Sequence, residues 1–229
     1  MIFRAAKIRD FFKKCYTKTC IFVPMIYNAF RELFFARGCF SPDEVASSGM
    51  YLNKNDFTRW CRNGWLVKLR NGLYTFPEYI RFPNFVFHAA VKMYPSYVSL
   101  HSALIYHGFI SSQLNTQVSC VSPLKTMSFK NALGKFNYQK MHPRLLFGYE
   151  PQSNGGFPFQ VATPEKALLD LFYLNPSLFD TEQGIRAFAL EEKALYENWN
   201  PDVLYASLQE FENLALERRV AIFTTMYGL

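Results

Sequence analysis

The chain has 229 residues, of which half are apolar and 18% are aromatic. This composition can form a substantial core and excludes wholesale disorder, and at roughly 100–200 residues per domain it fits one large or two small domains. The net charge is +7 and is unevenly spread: residues 1–80 hold 13 Lys/Arg against 6 Asp/Glu, residues 81–160 hold 7 against 1, and residues 161–229 hold 5 against 11. The basic first two thirds predict an anionic partner, and the charge is expected to lie on one helix and one hairpin.

Residues 1–24 are predicted to form an N-terminal extension. The segment 5–15 fits a basic amphipathic helix, which we expect to pack against the protein rather than on a membrane. The apolar stretch near 21–30 contains Pro24 and Asn28, is too short to span a membrane and lacks a small-residue cleavage site. The five cysteines include no CxxC pair, which indicates reduced thiols and a cytoplasmic protein: Cys15, Cys20, Cys39, Cys61 and Cys120.

Residues 25–80 predict a winged-helix DNA-binding domain. A first helix is expected over 25–37. Ser41 is a good N-cap for a second, short helix over 42–48, with proline at its first position. A third helix is expected over 54–63. The second and third helices together predict a helix-turn-helix.

The third helix and the hairpin after it carry the clearest local signals. Asn53 is a suitable N-cap with Asp56 at the third helical position, and Gly64 is a suitable stop. Two short β-prone runs over 65–76 flank Asn71-Gly72, which predicts a hairpin with a type I′ turn, since that turn needs positive φ at both central residues. A recognition helix followed by a basic hairpin is how a winged helix binds duplex DNA.

The third helix has two different faces. At about 100° per residue, Phe57, Trp60 and Cys61 share an apolar stripe, and Asn55, Arg59 and Arg62 lie opposite. Arginine and asparagine bind guanine and adenine edges bidentately, so Asn55, Arg59 and Arg62 are predicted to contact bases. Phosphate contacts, which set the register, are predicted for Lys54, Thr58, Lys68, Arg70 and Asn71. The core of this domain is predicted to contain Phe57, Trp60, Trp65, Leu69 and Tyr74. A solvated surface helix with a hairpin is the other interpretation of the pattern.

Residues 77–83 predict a linker, and residues 84–229 predict an α+β domain with a helical C-terminal end. A helix is expected to open at Pro95-Ser96 and to close at Gly108. Strands are predicted over 116–121, 134–141, 144–149 and 157–162, with a turn-rich loop over 152–156.

The C-terminal end is predicted to be helical. Thr163-Pro164-Glu165 starts one helix, the chain from Gly184 onward is helical, and Asn200-Pro201-Asp202 provides another start. The predicted fold class is therefore α+β: an N-terminal winged helix-turn-helix, then an α+β domain with a helical end.

A second basic cluster follows the 116–121 strand, with lysines spaced five apart among Phe129, Phe136 and Tyr138. Its members are predicted as accessory nucleic-acid contacts: Lys125, Lys130, Lys135 and Lys140. Lysines and aromatic side chains on a sheet can follow phosphates or stack on bases, so an RNA-binding module is the alternative function. A sheet with one apolar face and lysines at an exposed edge explains the same pattern without nucleic acid.

The sequence predicts no catalytic site, metal or cofactor. GxSxG, HExxH, Walker and GxGxxG motifs do not occur, and the nearest histidines, His101 and His107, lie about 240° apart on one helix and cannot bind one metal together. Lys166 and Asp170 have the spacing of an ordinary i,i+4 ion pair on a helix. A non-enzymatic interaction adaptor that docks through the acidic C-terminal helices is a further alternative.

Four segments in this order resemble the AbiEi family of type IV antitoxins and related transcriptional regulators: GWLVKLRNGLY, YVSLHSALIYHG, VATPEKALLDLF and LYASLQEFENLALERRV. The resemblance covers the chain from about residue 26 onward. It implies a prokaryotic regulator that binds inverted repeats in its own promoter, which is compatible with a homodimer on DNA. It also implies a nucleotidyltransferase-like toxin partner of an abortive-infection system, antagonised without a stable complex. By position, the family's recognition helix falls on 54–63 and its wing on 68–74.

Overall fold

The computed structural model describes residues 22–111 and 117–229, with side chains from residue 26 onward. The predicted helix over 5–15, and nearly all of the predicted extension over 1–24, lie outside the described residues. The chain divides into two compact units, Met1–Phe85 and Val86–Leu229. The mixed α+β class with a helical C-terminal end is confirmed.

The described part of the first unit alternates helices and strands around one small sheet. Its elements are α1 (Phe22–Phe34), β1 (Cys39–Phe40), α2 (Pro42–Ser47), α3 (Lys54–Arg62), β2 (Val67–Arg70) and β3 (Leu73–Thr75), with 3-10 turns at Phe35–Arg37 and Pro77–Arg81. The strands form an antiparallel sheet in the order β1-β3-β2.

The helices α2 and α3 start where the sequence predicts, whereas α1 begins at Phe22 rather than at residue 25. The Ser41 side chain accepts a hydrogen bond from the Glu44 amide, and the Glu44 carboxylate accepts from the Ser41 amide at 2.7 Å. Asn53 and Asp56 form the same reciprocal capping box at the start of α3. Each box satisfies two amides that the first helical turn leaves without a partner.

Aromatic side chains make up most of the core of the first unit. The predicted members Phe57, Trp60, Leu69 and Tyr74 are buried, but Trp65 is only half-buried and lines an open groove beside Tyr27. The sequence prediction missed four buried phenylalanines: Phe30, Phe34, Phe40 and Phe76. Phe30 stacks on Phe34 with ring centroids 5.2 Å apart, so α1 contributes as much to this core as α3 does.

The hairpin turn differs from the predicted type I′. Gly72 has a φ of 76°, whereas Asn71 is not among the residues with positive φ. Positive φ at the second central residue alone excludes type I′, which needs positive φ at both central residues. The pairing of β2 with β3 is also irregular between Lys68 and Arg70, and this irregularity lets the strands meet without two positive φ angles.

The stretch predicted as a linker packs against the first unit. Pro77–Arg81 is a 3-10 helix, and Tyr79 within it is buried. The Tyr79 hydroxyl donates to the Phe35 carbonyl oxygen at 2.7 Å, and its ring stacks on Phe85. Tyr79 thus anchors the segment where its prolines had indicated an open connection.

The second unit is a six-stranded mixed sheet with helices. Its helices, counted from the unit boundary, are α4 (Phe85–Met93), α5 (Leu100–Tyr106), α6 (Pro164–Leu174), α7 (Pro176–Phe179), α8 (Glu182–Ala187), α9 (Glu192–Asn198), α10 (Pro201–Gln209) and α11 (Leu214–Tyr227). Its strands are β4 (Tyr97–Val98), β5 (Gln117–Ser122), β6 (Met127–Asn131), β7 (Gly134–Lys140), β8 (Tyr149–Asn154) and β9 (Phe157–Ala162), with a 3-10 turn at Pro143–Leu145. The strand order is β6-β7-β5-β4-β9-β8.

Helices cover the two faces of this sheet. The Tyr138 hydroxyl on β7 donates to the Ala90 carbonyl oxygen of α4. On the other face, the Tyr97 hydroxyl on β4 donates to Asp170 of α6. Tyr97 pairs with Val121 of β5, and Tyr138 pairs with Cys120 of the same strand. Paired residues share a face and successive residues of a strand alternate, so the two tyrosines project from opposite faces.

Several boundaries differ from the prediction. The strand predicted over 144–149 is wrong: Pro143 starts a 3-10 turn, Gly148 has a φ of 65°, and β8 begins only at Tyr149. The connection to β9 is a tight turn at Gly155-Gly156, both with positive φ. The strands β4 and β6 and the helix α4 were not predicted, and the helix expected at Pro95 begins at Leu100 because Tyr97–Val98 pair with two neighbouring strands.

Candidate nucleic-acid interface and buried charge cluster

The outer face of α3 and the β2–β3 hairpin present most of the side chains predicted to contact DNA. The exposed members are Lys54, Asn55, Thr58, Arg62, Lys68 and Asn71, whereas Arg59 and Arg70 are half-buried. The Thr58 hydroxyl donates to the Lys54 carbonyl oxygen at 3.0 Å, so its proton is used within the helix. Phe57 and Trp60, on the opposite stripe, are buried as predicted.

Arg59 is held by its own helix. Its Nη2 lies 2.6 Å from Asp56 Oδ1, while Asp56 Oδ2 accepts from the Asn53 amide at 2.9 Å. The buried Nε of Arg59 has no hydrogen-bond partner. Angular position placed Arg59 and Arg62 on one face, but only Arg62 is exposed and makes no ion pair within the described part of the chain.

The positive charge of the first unit lies in two places: residues 54–76, with α3 and the hairpin, hold 5 Lys/Arg against 1 Asp/Glu, and residues 1–21 hold a similar excess. Residues 22–80 hold 7 Lys/Arg against 5 Asp/Glu, whereas residues 1–21 hold 6 against 1. The first unit therefore owes most of its net charge to residues outside the described part of the chain. The positive face of α3 depends on a few side chains rather than on a strongly basic domain.

The second lysine cluster lies at one end of the six-stranded sheet. Lys130 on the edge strand β6 is directly opposite Lys135 on β7, and both are exposed. Lys125 precedes β6 and Lys140 ends β7, and both are also exposed. There is no Asp or Glu between Glu78 and Glu150. Like charges directly opposite each other on paired strands are destabilising, and no carboxylate of this segment offsets them.

The aromatic residues of this cluster lie on the other face of the sheet. Phe129 pairs with Phe136, and its ring lies 5.7 Å from that of Tyr138. Phe136 and Tyr138 are buried. Alternation along β7 puts these rings on the face opposite Lys135, so they form core contacts rather than a stacking surface beside the lysines.

Lys166 and Asp170 form a fully buried pair instead of an ordinary surface ion pair. Both side chains have an exposed fraction of 0%, and Lys166 Nζ contacts Asp170 Oδ1 directly. Asp170 Oδ2 accepts from the Tyr97 hydroxyl at 2.8 Å and from the Ser99 hydroxyl at 2.7 Å. Helical spacing predicted the pair itself but not its burial, which arises because α6 is buried from Glu165 to Phe172.

The surroundings of this pair are apolar. The rings of Phe147 and Phe211 lie 4.8 and 4.9 Å from Lys166 Nζ. Burial lowers the pKa of Lys166, against the opposing effect of Asp170, and burial raises the pKa of Asp170 despite the neighbouring ammonium. Burial therefore favours the uncharged form of each group, and the contact with the opposite charge favours the charged form.

The backbone around the cluster is strained. Leu100, next to Ser99, has a φ of 55°, which is unusual for a residue with a side chain. Gly148 has a φ of 65°, and a Cβ there would lie 3.0 Å from Lys166 Cγ. A larger residue at position 148 would therefore require the buried Lys166 side chain to shift.

Each histidine has a partner other than a metal. His88 Nδ1 lies 2.7 Å from the Pro158 carbonyl oxygen, and His107 Nε2 lies 2.9 Å from that of Ala162. Burial lowers the pKa of His101, which packs against Phe188, and His142 accepts from the Arg144 amide. Within residues 22–111 and 117–229, no group of three or more His, Cys, Asp or Glu side chains could hold a metal ion.

None of the described helices has the length and apolar character needed to cross a membrane. Comparison with known proteins assigns no family: no family model matches the chain, and no curated protein matches it significantly. The function is therefore inferred from the residues themselves and from the resemblance of the four segments.

Proposed function

We propose that the protein is a sequence-specific DNA-binding regulator and that its first unit is a winged helix-turn-helix. The observation that carries the proposal is the order helix, strand, helix, helix and hairpin, with a three-stranded antiparallel sheet ordered β1-β3-β2. In this fold the third helix enters the major groove and the hairpin contacts the backbone beside it. The exposed polar residues of α3 and the hairpin are those that such docking requires.

In this proposal, Arg62 and Asn55 contact base edges directly. Arg59 reaches a base only when it exchanges Asp56 for the DNA. Phosphate contacts come from Lys54, Lys68, Arg70 and Asn71. Thr58 joins them only when its hydroxyl donates to a phosphate instead of to the Lys54 carbonyl oxygen. Phosphate contacts set the register, and the base contacts provide specificity.

The biological role that we propose is the one implied by the resemblance to AbiEi antitoxins. The protein represses its own promoter through inverted repeats, on which it acts as a homodimer in the cytoplasm. Its partner in the operon is a nucleotidyltransferase-like toxin, which it antagonises without a stable complex. An RNA-binding module and an interaction adaptor are the alternatives.

The lysine cluster of the second unit supports an accessory contact with the DNA backbone. The supporting observation is the opposed pair Lys130 and Lys135 in a long segment without carboxylates. The burial of Phe136 and Tyr138 on the other face favours backbone contact over base stacking on RNA. Such contacts add affinity without sequence preference.

The first prediction separates base from phosphate contacts. Arg62→Ala should weaken binding to a duplex from the protein's own upstream region more than binding to random DNA, since one bidentate base contact contributes about 1–3 kcal/mol of discrimination. Lys68→Ala should weaken both equally. The measurement is a titration of both duplexes by fluorescence anisotropy. Equal weakening on both duplexes for Arg62→Ala would show that α3 does not contact bases.

The second prediction concerns the accessory lysines. The double substitution Lys130→Gln, Lys135→Gln should weaken the salt dependence of duplex binding. The slope of log affinity against log salt concentration should fall in magnitude by about 0.9 for each phosphate contact that is lost. The ratio of operator to random affinity should stay the same. Lys193→Gln, at an exposed lysine of the acidic C-terminal part, is the matched control. An unchanged slope in the double variant would confine the interface to the first unit, and tighter binding of single-stranded RNA than of duplex DNA would favour the RNA alternative.

A further inference from the structure

A cavity of about 210 Å³ lies in the second unit, beside the buried charge cluster. Two tyrosines, two prolines, a leucine, a serine and a glutamine line it, and no charged side chain does. The strand register explains its floor. Val98 pairs with Val161, which puts Tyr97 beside Gln160 on one face, and Tyr149 pairs with Ala162 on that same face.

The tyrosine wall of the cavity is fixed from behind. The Tyr97 hydroxyl donates to Asp170 at 2.8 Å and accepts from Lys166 Nζ at 3.2 Å. The Tyr149 ring stacks on the Tyr97 ring, with centroids 4.6 Å apart and planes 22° apart. The wall is therefore a stacked pair with the exposed Tyr149 ring outside the buried Tyr97 ring. It is held in one orientation before any ligand arrives, which reduces the entropy cost of binding.

Two polar groups at the cavity have no partner within the described part of the chain. The Gln160 carboxamide and the Tyr149 hydroxyl make no hydrogen bond there. The Ser96 hydroxyl, in contrast, donates to the Tyr94 carbonyl oxygen. A carboxamide presents a donor and an acceptor side by side, which is the pattern that pairs with a nucleobase edge.

We propose that this cavity binds a planar, uncharged heterocycle of the nucleobase class, which packs against the tyrosine wall and pairs with the Gln160 carboxamide. The cavity is smaller than the roughly 300–1,000 Å³ of pockets for drug-sized ligands. Its volume therefore suits a ligand with a single ring system, such as a nucleobase. The absence of charge in the lining fits a base rather than a phosphate. The cavity belongs to the second unit, so base binding there does not depend on DNA binding by α3.

The test is calorimetric titration of the full chain with adenine, adenosine and AMP. Adenine and adenosine should bind, and AMP should bind no more tightly than adenosine. Tyr149→Ala should weaken binding at least tenfold, because it removes the stacking of a base on an aromatic ring, and Gln160→Leu should do the same by removing both hydrogen bonds. Tyr205→Ala, at an exposed tyrosine on α10, is the matched control and should bind like the unmodified chain.

Tyr149→Phe keeps the ring and separates the effect of stacking from the effect of the hydroxyl. Circular dichroism of each variant checks that it remains folded. If a short oligo(dA) displaces adenine, the bound base can belong to a nucleic-acid strand. If the oligonucleotide does not displace adenine, the ligand is a free base or nucleoside. The proposal is overturned if none of the three compounds binds, if only AMP binds, or if folded Tyr149→Ala and Gln160→Leu bind as well as the unmodified chain.

Discussion

Two ion pairs with the same helical spacing differ in burial, and therefore in what they contribute to stability. Lys166–Asp170 and Lys193–Glu197 are both i,i+4 pairs, yet the first is fully buried and the second has exposed fractions of 85% and 59%. Spacing reports only that two side chains can meet. Burial decides what the contact contributes, because a buried charge left without its partner destabilises the fold by several kcal/mol.

The third prediction uses these two pairs as matched controls. Lys166→Ala should lower the free energy of unfolding by about 3–5 kcal/mol, since it leaves Asp170 buried and unpaired. Lys193→Ala should change it by no more than about 0.5 kcal/mol. The measurement is urea unfolding followed by circular dichroism. Similar small effects of both substitutions would mean that water reaches Asp170 and that the cluster is not closed.

Residue-level predictions from the sequence succeeded where the cause is local. The capping boxes at Ser41 and Asn53 depend on residues three positions away, and both are present. The ion pair of Arg59 depends on the Asp56 oxygen that the capping box leaves available. The exposure of Trp65 depends on its packing against Tyr27 of α1. Neither can be obtained from helical periodicity.

At the scale of elements, long periodic segments were predicted well and short central ones were missed. The strands β5, β7 and β9 lie within one residue of their predicted bounds. The two-residue strand β4 was missed because only its neighbours on both sides make Tyr97–Val98 extended. The strand predicted over 144–149 is wrong because Phe147 packs on Lys166 from a loop, a contact that no local pattern encodes.

The fourth prediction compares two glycines that have positive φ in different surroundings. Gly72 has open space where a Cβ would be, whereas a Cβ at Gly148 would meet Lys166. Alanine should destabilise the protein at both positions, since positive φ costs a residue with a Cβ roughly 1–2 kcal/mol. Asparagine, which tolerates this conformation, should restore stability at Gly72 but not at Gly148. Equal recovery at both positions in thermal unfolding would mean that the 146–148 loop can move away from the lysine.

The whole molecule consists of two compact units, and the second unit contains both a basic and an acidic part. Residues 22–80 are nearly balanced, residues 81–160 are strongly basic, and residues 161–229 are acidic. Each unit has its own buried core. The proposed separation of base recognition from antagonism of a toxin requires two such cores. Charge counts do not locate the boundary between the units, because the change from basic to acidic sequence near residue 160 falls within the second unit.

The fifth prediction tests that separation of tasks. The double substitution Arg59→Ala, Arg62→Ala should leave the protein folded. Arg62 is exposed, and surface changes usually cost within about 0.5 kcal/mol. The half-buried Arg59 loses one i,i+3 ion pair with Asp56, which contributes about 0.2–0.5 kcal/mol. The variant should lose repression of the promoter and still rescue growth of cells that express the neighbouring toxin. A promoter reporter and a growth assay run in parallel measure both outcomes.

The control is the double substitution Arg186→Ala, Arg218→Ala, which removes two exposed arginines of the second unit and should keep repression. If the folded Arg59, Arg62 variant fails in both assays, the two activities share one surface and the division into two tasks is wrong.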